Sequence, residues 1–324
     1  MEHRRLGARG PLVPAMGLGC MGMSDFYGPA DQREALATIR HALDRGLTHL
    51  DTADMYGPFT NEELVGRAIK GRRHEVFLAT KFGVVRGPDP TARRIDSTPA
   101  HARAACEASL RRLGVDHIEL YYLHRRDPAV PVEDTVGAMQ DLVTAGKIRH
   151  IGLSEVNSDT LRRACTTAPV AALQSEYSLF TRALEREILP TAHQLGVTLV
   201  AYSPLGRGLL TGTLTSTGGL HQDDVRHTQP RFQGAHLAAN LTLVKRLRDL
   251  AAEAGCTPAQ LALAWLLARP ERIVPLPGTR RRTHLDDNLA ALSVRLTPEQ
   301  SESVGETIPE ASGARSPDLS RLEQ

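Results

Sequence analysis

The sequence predicts a (β/α)8 barrel, and three observations carry that prediction. Eight short apolar runs lie between residues 15 and 276, amphipathic helical stretches separate them, and a chain of 324 residues is long enough for one barrel with additions. Each run reads as a buried strand of the kind covered on both faces, as expected in a parallel sheet. An open doubly wound sheet fits eight strand–helix units in one chain of this length less well.

The elements follow in order. Residues 1 to 13 precede the first run, and Gly7, Gly10 and Pro11 punctuate them as a turn, so they read as a hairpin at the barrel floor. The predicted strands are Ala15 to Gly19, Thr48 to Asp51, Val76 to Lys81, Ile118 to His124, Ile148 to Ser154, Ala171 to Glu176, Val197 to Ser203 and Ile273 to Leu276. The predicted helices are Gln32 to Arg45, Asn61 to Lys70, Pro99 to Leu113, Val132 to Ala145, Ser158 to Thr166, Ala183 to Leu195, Ala238 to Ala254, Pro258 to Leu267 and His284 to Ala291. Asp31, Thr98 ahead of Pro99, and Ser158 or Asp159 are N-cap signals, and Gly46, Gly114, Gly146 and Gly196 are stop signals. The stretch Gly206 to Gly234, after the seventh strand, is too long for a routine connection and reads as a mobile loop over the site. Residues 1–307 read as a single barrel domain, and the Pro/Ser/Gly-containing residues 308–324 as a loosely ordered tail.

Composition narrows the function. Hydrophobic residues make up 41% and charged residues 23%, a globular balance that excludes disorder, collagen and a disulfide scaffold. The formal charge of +2 comes without an unanswered basic block, which argues against nucleic acid or an anionic membrane as partner. Cys20, Cys106, Cys165 and Cys256 are scattered, with no Cys-x-x-Cys pair and no histidine at ligand spacing, so they read as reduced packing thiols and no metal site is expected. No signal-like or membrane-spanning run is present, and the expected location is cytoplasmic. Lysine occurs only at 70, 81, 147 and 245, so a lysine at a strand end stands out.

Asp51, Lys81 and His124 close the second, third and fourth predicted strands, and Tyr56 lies five residues beyond Asp51. Taken singly, each has an ordinary reading: a turn cap, a solvated cation, a satisfied core histidine, a Tyr-Gly-Pro turn. Together they suit one reaction, delivery of a proton to a carbonyl oxygen while hydride reaches the carbonyl carbon. A phenol is a poor acid–base catalyst near pH 7 unless its anion is favoured, and the Lys81 ammonium beside it is expected to favour that anion. Asp51 would hold the ammonium charged, and His124 would orient the carbonyl with a hydrogen bond.

The segments Asp51-Thr-Ala-Asp-Met-Tyr56-Gly, Ala79-Thr-Lys81-Phe-Gly and Leu120-Tyr-Tyr-Leu-His124 resemble, in order and on successive strands, the Asp, Tyr, Lys, His tetrad of the aldo-keto reductases. Gly17-Leu-Gly-Cys-Met-Gly-Met, Ile151-Gly-Leu-Ser154-Glu, Gln174-Ser-Glu-Tyr, Ala201-Tyr-Ser-Pro-Leu-Gly-Arg-Gly208 and Pro277-Gly-Thr-Arg280 look like further blocks of the family, so the resemblance runs the length of the chain. It is strongest to the branch of potassium-channel β subunits and bacterial and fungal pyridoxal or methylglyoxal reductases. Gly17, Gly19 and Gly22 also spell Gly-x-Gly-x-x-Gly, but Met23-Ser-Asp-Phe-Tyr-Gly-Pro does not open a helix, so this is no dinucleotide fingerprint.

The resemblance implies an NADPH-dependent reductase of aldehydes or ketones acting on a small-molecule carbonyl. It implies that Ser154 and Gln174 hold the carboxamide, that Tyr202 stacks on the nicotinamide, and that Ser203, Pro204, Leu205, Gly206 and Gly208 cradle the pyrophosphate. Gly22, Met23 and Asp51 are implied at the nicotinamide end, and Gly278, Thr279, Arg280, His284, Asp287 and Asn288 at the adenosine end. A guanidinium at Arg280 would favour a 2′-phosphate over a bare hydroxyl. His284 and Glu155 depart from the residues usual in relatives, Arg or Gln at the first and Asn at the second. Met23, Phe26, Tyr27, Met55, Phe59 and Phe82 are expected to line the substrate pocket. Two other readings stand beside this one. Glu155 and Glu176 end adjacent strands and could serve a glycosidase, although one Trp and 4% aromatics offer little for stacking on a sugar. The fold could also serve as an NADPH-binding, redox-sensing regulatory subunit. Oligomeric state stays open.

Overall fold

The computed structural model describes residues 1–87, 93–270, 272–320 and 322–323. An antiparallel hairpin, β1 (His3–Arg5) and β2 (Leu12–Pro14), leads into strand β3 (Leu18–Gly19). Then come β4 (His49–Asp51), β5 (Phe77–Phe82), a second hairpin of β6 (Val84–Arg86) and β7 (Arg93–Ile95), β8 (Ile118–Leu123), β9 (Ile148–Ser154), β10 (Val170–Glu176), β11 (Thr198–Tyr202) and β12 (Ile273–Leu276). The helices are α1 (Gln32–Asp44), α2 (Thr60–Ile69), α3 (Pro99–Leu113), α4 (Val132–Thr144), α5 (Ser158–Thr167), α6 (Ile188–Gln194), α7 (Gly234–Glu253), α8 (Pro258–Leu267), α9 (Arg282–Ala290) and α10 (Pro298–Thr307).

Eight parallel strands, in the order β3-β4-β5-β8-β9-β10-β11-β12, form the barrel wall. Gly19 bridges Gly278, and Gly17 N–H donates to the Pro275 carbonyl at 2.9 Å, so the first and last strands close the cylinder. The fold is the predicted (β/α)8 barrel. The N-terminal hairpin plugs its floor: Leu6 and Val13 are fully buried among Leu120, Tyr122, Val200 and Val274, and the Gly7 amide donates to Thr198 Oγ1 at 2.7 Å. Gly7 has φ +68°, and a Cβ there would lie 3.1 Å from Ala171 Cα, so this plug needs glycine at its turn.

Several elements differ from the sequence reading, each for a local reason. The first strand is shorter because the Ala15 amide pairs with the Glu2 carbonyl and belongs to the hairpin. The stretch Ala183 to Leu195 is a 3-10 turn (Ala183–Arg186) followed by α6, since Pro190 has no amide to donate to Arg186 and Glu187 takes a non-helical φ of −143°. Asn157, not Ser158 or Asp159, caps α5. Helix α10 went unpredicted although Thr297 and Gln300 form a reciprocal capping box, and its partner in packing is Trp265 of α8, whose Nε1 donates to Ser301 O at 3.1 Å. The C-terminal stretch meets the body of the protein at several points. Ile308 is fully buried, Ala311 N–H donates to Phe180 O, and Asn240 exchanges hydrogen bonds with Ser312. Its described residues form no helix or strand, yet its backbone groups find partners on the segments it crosses.

Near the floor, His49 of β4 is fully buried, packs edge-on against Phe77 and, among the described residues, has no hydrogen-bond partner for either ring nitrogen. Burial pushes its pKa down to about 4. The unfolded chain takes up this proton below its ordinary value near 6.5 while the folded chain does not, so stability falls as pH drops from 6.5 towards 4. For a depression of this size the loss reaches about 3 kcal/mol. Urea unfolding at pH 7 and pH 4.5 should therefore show a smaller acid-induced loss in a His49→Leu variant than in the wild-type protein; equal losses would assign the destabilisation elsewhere.

Candidate active site

At the carboxyl ends of the strands, side-chain alternation decides which residues meet. Ala79 and Lys81 of β5 face the lumen beside Tyr122 of β8, while Thr80 and Phe82 face the helices. Lys81 is wholly buried and donates to Asp51 Oδ1, to the Thr52 carbonyl at 2.7 Å and to Tyr56 Oη at 3.3 Å. Gln174 Nε2 donates to the other Asp51 oxygen at 2.8 Å. His124 follows the end of β8, where its amide donates to Phe82 O, and its ring meets that of Tyr56 edge-to-face at 5.9 Å. The four residues singled out in the sequence are thus one cluster.

Burial and charge set the protonation states. For Lys81, burial alone would lower the pKa, but the Asp51 carboxylate and then Tyr56 more than reverse this and it is raised. For Tyr56, burial raises the pKa and outweighs the opposing pull of Lys81. This corrects the expected sign: the phenol is held neutral, with its anion assisted but not favoured. His124 is lowered well below 6.5, first by burial and then by Arg125, Lys81 and Arg93, so its imidazole is neutral at physiological pH.

A cleft of about 1030 Å³ runs from this cluster across the barrel mouth. Gly22, Phe26, Tyr27, Asp51, Met55, Tyr56, His124, Ser154, Gln174, Tyr202, Ser203, Pro204, Leu205, Gly208, Gly278, Thr279, Arg280, His284, Asp287 and Asn288 all line it. Residues of the 206–234 stretch form its outer side, tied to the opposite bank by a Val225 N–H to Phe26 O bond and a Tyr27–Asp224 bridge. Four expected residues lie off the cleft. Phe82 is fully buried and stacks on Tyr121 at 4.9 Å, as its outward register dictates. Phe59 is 48% exposed at the start of α2 under the Arg112 guanidinium. Met23 ends a 3-10 turn and points into the core, and Gly206 turns its amide to Ser203 O.

The sequence reading missed a layer of arginines. Arg315 of the tail grips Glu155 with both terminal nitrogens and lies 3.5 Å from Tyr202 Oη. Arg207 and Arg231 flank Glu176, each at 3.4 Å. The Glu155 carboxyl is held below its usual range: burial opposes this, but the Arg315 hydrogen bonds and charge prevail. Both carboxylates of the glycosidase reading are therefore committed to arginines. Glu155, Ser203 and Arg207 adopt positive φ (55°, 49° and 53°), strain gathered at the mouth where the turns present their backbones. Nothing in Ser312-Gly-Ala-Arg315 signals this role; it exists only through the fold. Among the described residues, no group of His, Cys, Asp and Glu is arranged to hold a metal, and no single helix is long and apolar enough to cross a membrane.

Comparison with known proteins agrees with this geometry. The family model described as "Aldo/keto reductase family" matches residues 15–308. A glycerol dehydrogenase from Gluconobacter oxydans is 29% identical, with 99% of each chain covered and a TM-score of 0.86. An aldo-keto reductase from Bacillus halodurans in its holo form is 28% identical, with 96% of this chain and 97% of that one covered and a TM-score of 0.80. An aldo/keto reductase from Klebsiella pneumoniae, solved with NADP and acetate, is 29% identical over 100% of both chains, with a TM-score of 0.74.

Removing one partner of the buried pair would leave the Asp51 carboxylate uncompensated. A Lys81→Met variant is expected to lose about 3–5 kcal/mol of stability, read as a lower midpoint in chemical denaturation. A loss below about 1 kcal/mol would mean that the pair is solvated and does not set the charge state of the cluster.

Proposed function

The chain belongs to the aldo/keto reductase family, and we propose that it reduces an aldehyde or ketone to an alcohol with NADPH, using Tyr56 as the proton donor. Its general class is that of NADP(H)-dependent carbonyl oxidoreductases. The observation that carries the finer reading is the contact of Tyr56 Oη with Lys81 Nζ at 3.3 Å inside a cluster sealed by Asp51 and Gln174.

The cleft suits the dinucleotide. One cleft is lined by Tyr56 and His124, by the amide and hydroxyl groups of Gln174, Ser154 and Ser203, and by Arg280 and Asn288. Ser154, Gln174 and Tyr202 would hold the nicotinamide end, the turn from Ser203 to Gly208 the pyrophosphate, and Gly278 to Arg280 the 2′-phosphate. NADPH, when bound, supplies a hydride to the carbonyl carbon. As negative charge grows on the carbonyl oxygen, the neutral Tyr56 hydroxyl gives up its proton there. The phenolate left behind is stabilised by the Lys81 ammonium, which Asp51 and the Thr52 carbonyl keep fixed and charged. The neutral His124 ring, beside Tyr56, offers an N–H to orient the carbonyl.

A Tyr56→Phe variant should lower kcat for 4-nitrobenzaldehyde by about 10²–10⁴-fold, while NADPH fluorescence titration gives a similar affinity. A kcat within tenfold of wild type would remove Tyr56 from the donor role. The shifts also fix the pH profile. His124 gains a proton only well below 6.5 and Tyr56 loses one only above 10, so kcat/KM for reduction should stay level from pH 6 to pH 9. A limb centred near 6.5 that disappears in His124→Gln would contradict the neutral imidazole.

A further inference from the structure

The carboxylates at the catalytic end of the cleft are each committed to a partner already. Asp51 is committed to Lys81 and Gln174, Glu155 to Arg315, and Glu176 to Arg207 and Arg231. Arg125, the residue after His124, is half-buried and lines the same cleft, yet has no carboxylate partner among the described residues. Its hydrogen bonds run through one nitrogen, Nη1, to His124 O and to Ser154 Oγ at 3.0 Å. These fix the guanidinium plane and leave its Nε–Nη2 edge, two parallel donors, without a protein acceptor among the described residues. That edge has the geometry that takes a carboxylate in two hydrogen bonds. A second cation, Arg93, lines this end too, with its guanidinium 5.4 Å from the Phe26 ring.

Resting on the reductase reading above, we propose that the carbonyl substrate is an oxo acid whose carboxylate is received by the open edge of Arg125. The carboxylate does not react. It holds the carbonyl next to Tyr56 and His124, and a neutral analogue leaves a partly desolvated guanidinium edge unpaired.

The test is a matched pair, 4-carboxybenzaldehyde and its methyl ester, reduced with NADPH at low salt. The wild-type enzyme should show kcat/KM at least tenfold higher for the acid, mostly through KM, with the ratio shrinking as salt is raised. The ratio should fall by tenfold or more in Arg125→Gln and be partly restored in Arg125→Lys. Because it is taken within each variant, a general loss through Ser154 cancels. A wild-type ratio near or below one, or one unchanged in Arg125→Gln, overturns the proposal. If neither aldehyde is reduced, the reductase reading fails, and binding to the NADPH-loaded protein decides separately. Benzoate bound more tightly than benzamide by wild type but not by Arg125→Gln keeps the anion subsite; equal binding of the two removes it.

Discussion

A lysine with no solvent exposure inside a barrel lumen is the constraint around which the mouth is organised. The Lys81 ammonium gives up its hydration and needs acceptors in return, and three are supplied: Asp51 Oδ1, the Thr52 carbonyl and Tyr56 Oη. Each comes at a structural condition. Asp51 must end β4 opposite Ala79, so that it reaches Lys81 two residues further along β5. The chain after Asp51 must turn at once to aim its Thr52 carbonyl inward, and it does so with Thr52 Oγ1 bonded to Asn61 of α2. Gln174 must reach across from β10 to satisfy the second Asp51 oxygen. Strand register, loop and opposite wall are thus tied to one charge, and the same charge lies 3.3 Å from the Tyr56 hydroxyl.

Outside this cluster, the mouth is held by arginine. Arg315 reaches Glu155 from the tail, Arg207 donates to the Arg315 carbonyl, and Arg126 pairs with Glu323, whose amide donates to Glu155 O. Glu155 stands at a backbone position of positive φ, where a β-branched or bulky residue would be strained. An asparagine there could hydrogen-bond but not anchor a guanidinium, so the departure at this position goes together with the docking of Arg315.

What was legible in the sequence, and what was not, follows from the range of each interaction. The strand ends could be read because their signal is local: an apolar run closed by Asp51, Lys81 or His124. The barrel and its plug followed from the count and spacing of such runs. Phe82 and Met23 were misplaced because a motif names a neighbourhood and not a side-chain direction; alternation turns Phe82 towards α3, and a 3-10 turn sends Met23 into the core. The Arg315–Glu155 pair spans 160 residues, and no local pattern marks either partner. The sign of the Tyr56 shift needed burial as well as proximity, and burial is a property of the whole packed mouth.

The closing seam between Gly19 and Gly278 joins residues from opposite ends of the barrel sequence, across strands of only two and four residues. Contacts of such wide sequence separation carry a loop-closure entropy that grows slowly with the length of chain between them. Both glycines also line the cleft, so a molecule lying along it touches both sides of the seam. A molecule bound only by the closed cylinder would stabilise that join by mass action, working as a clasp across it.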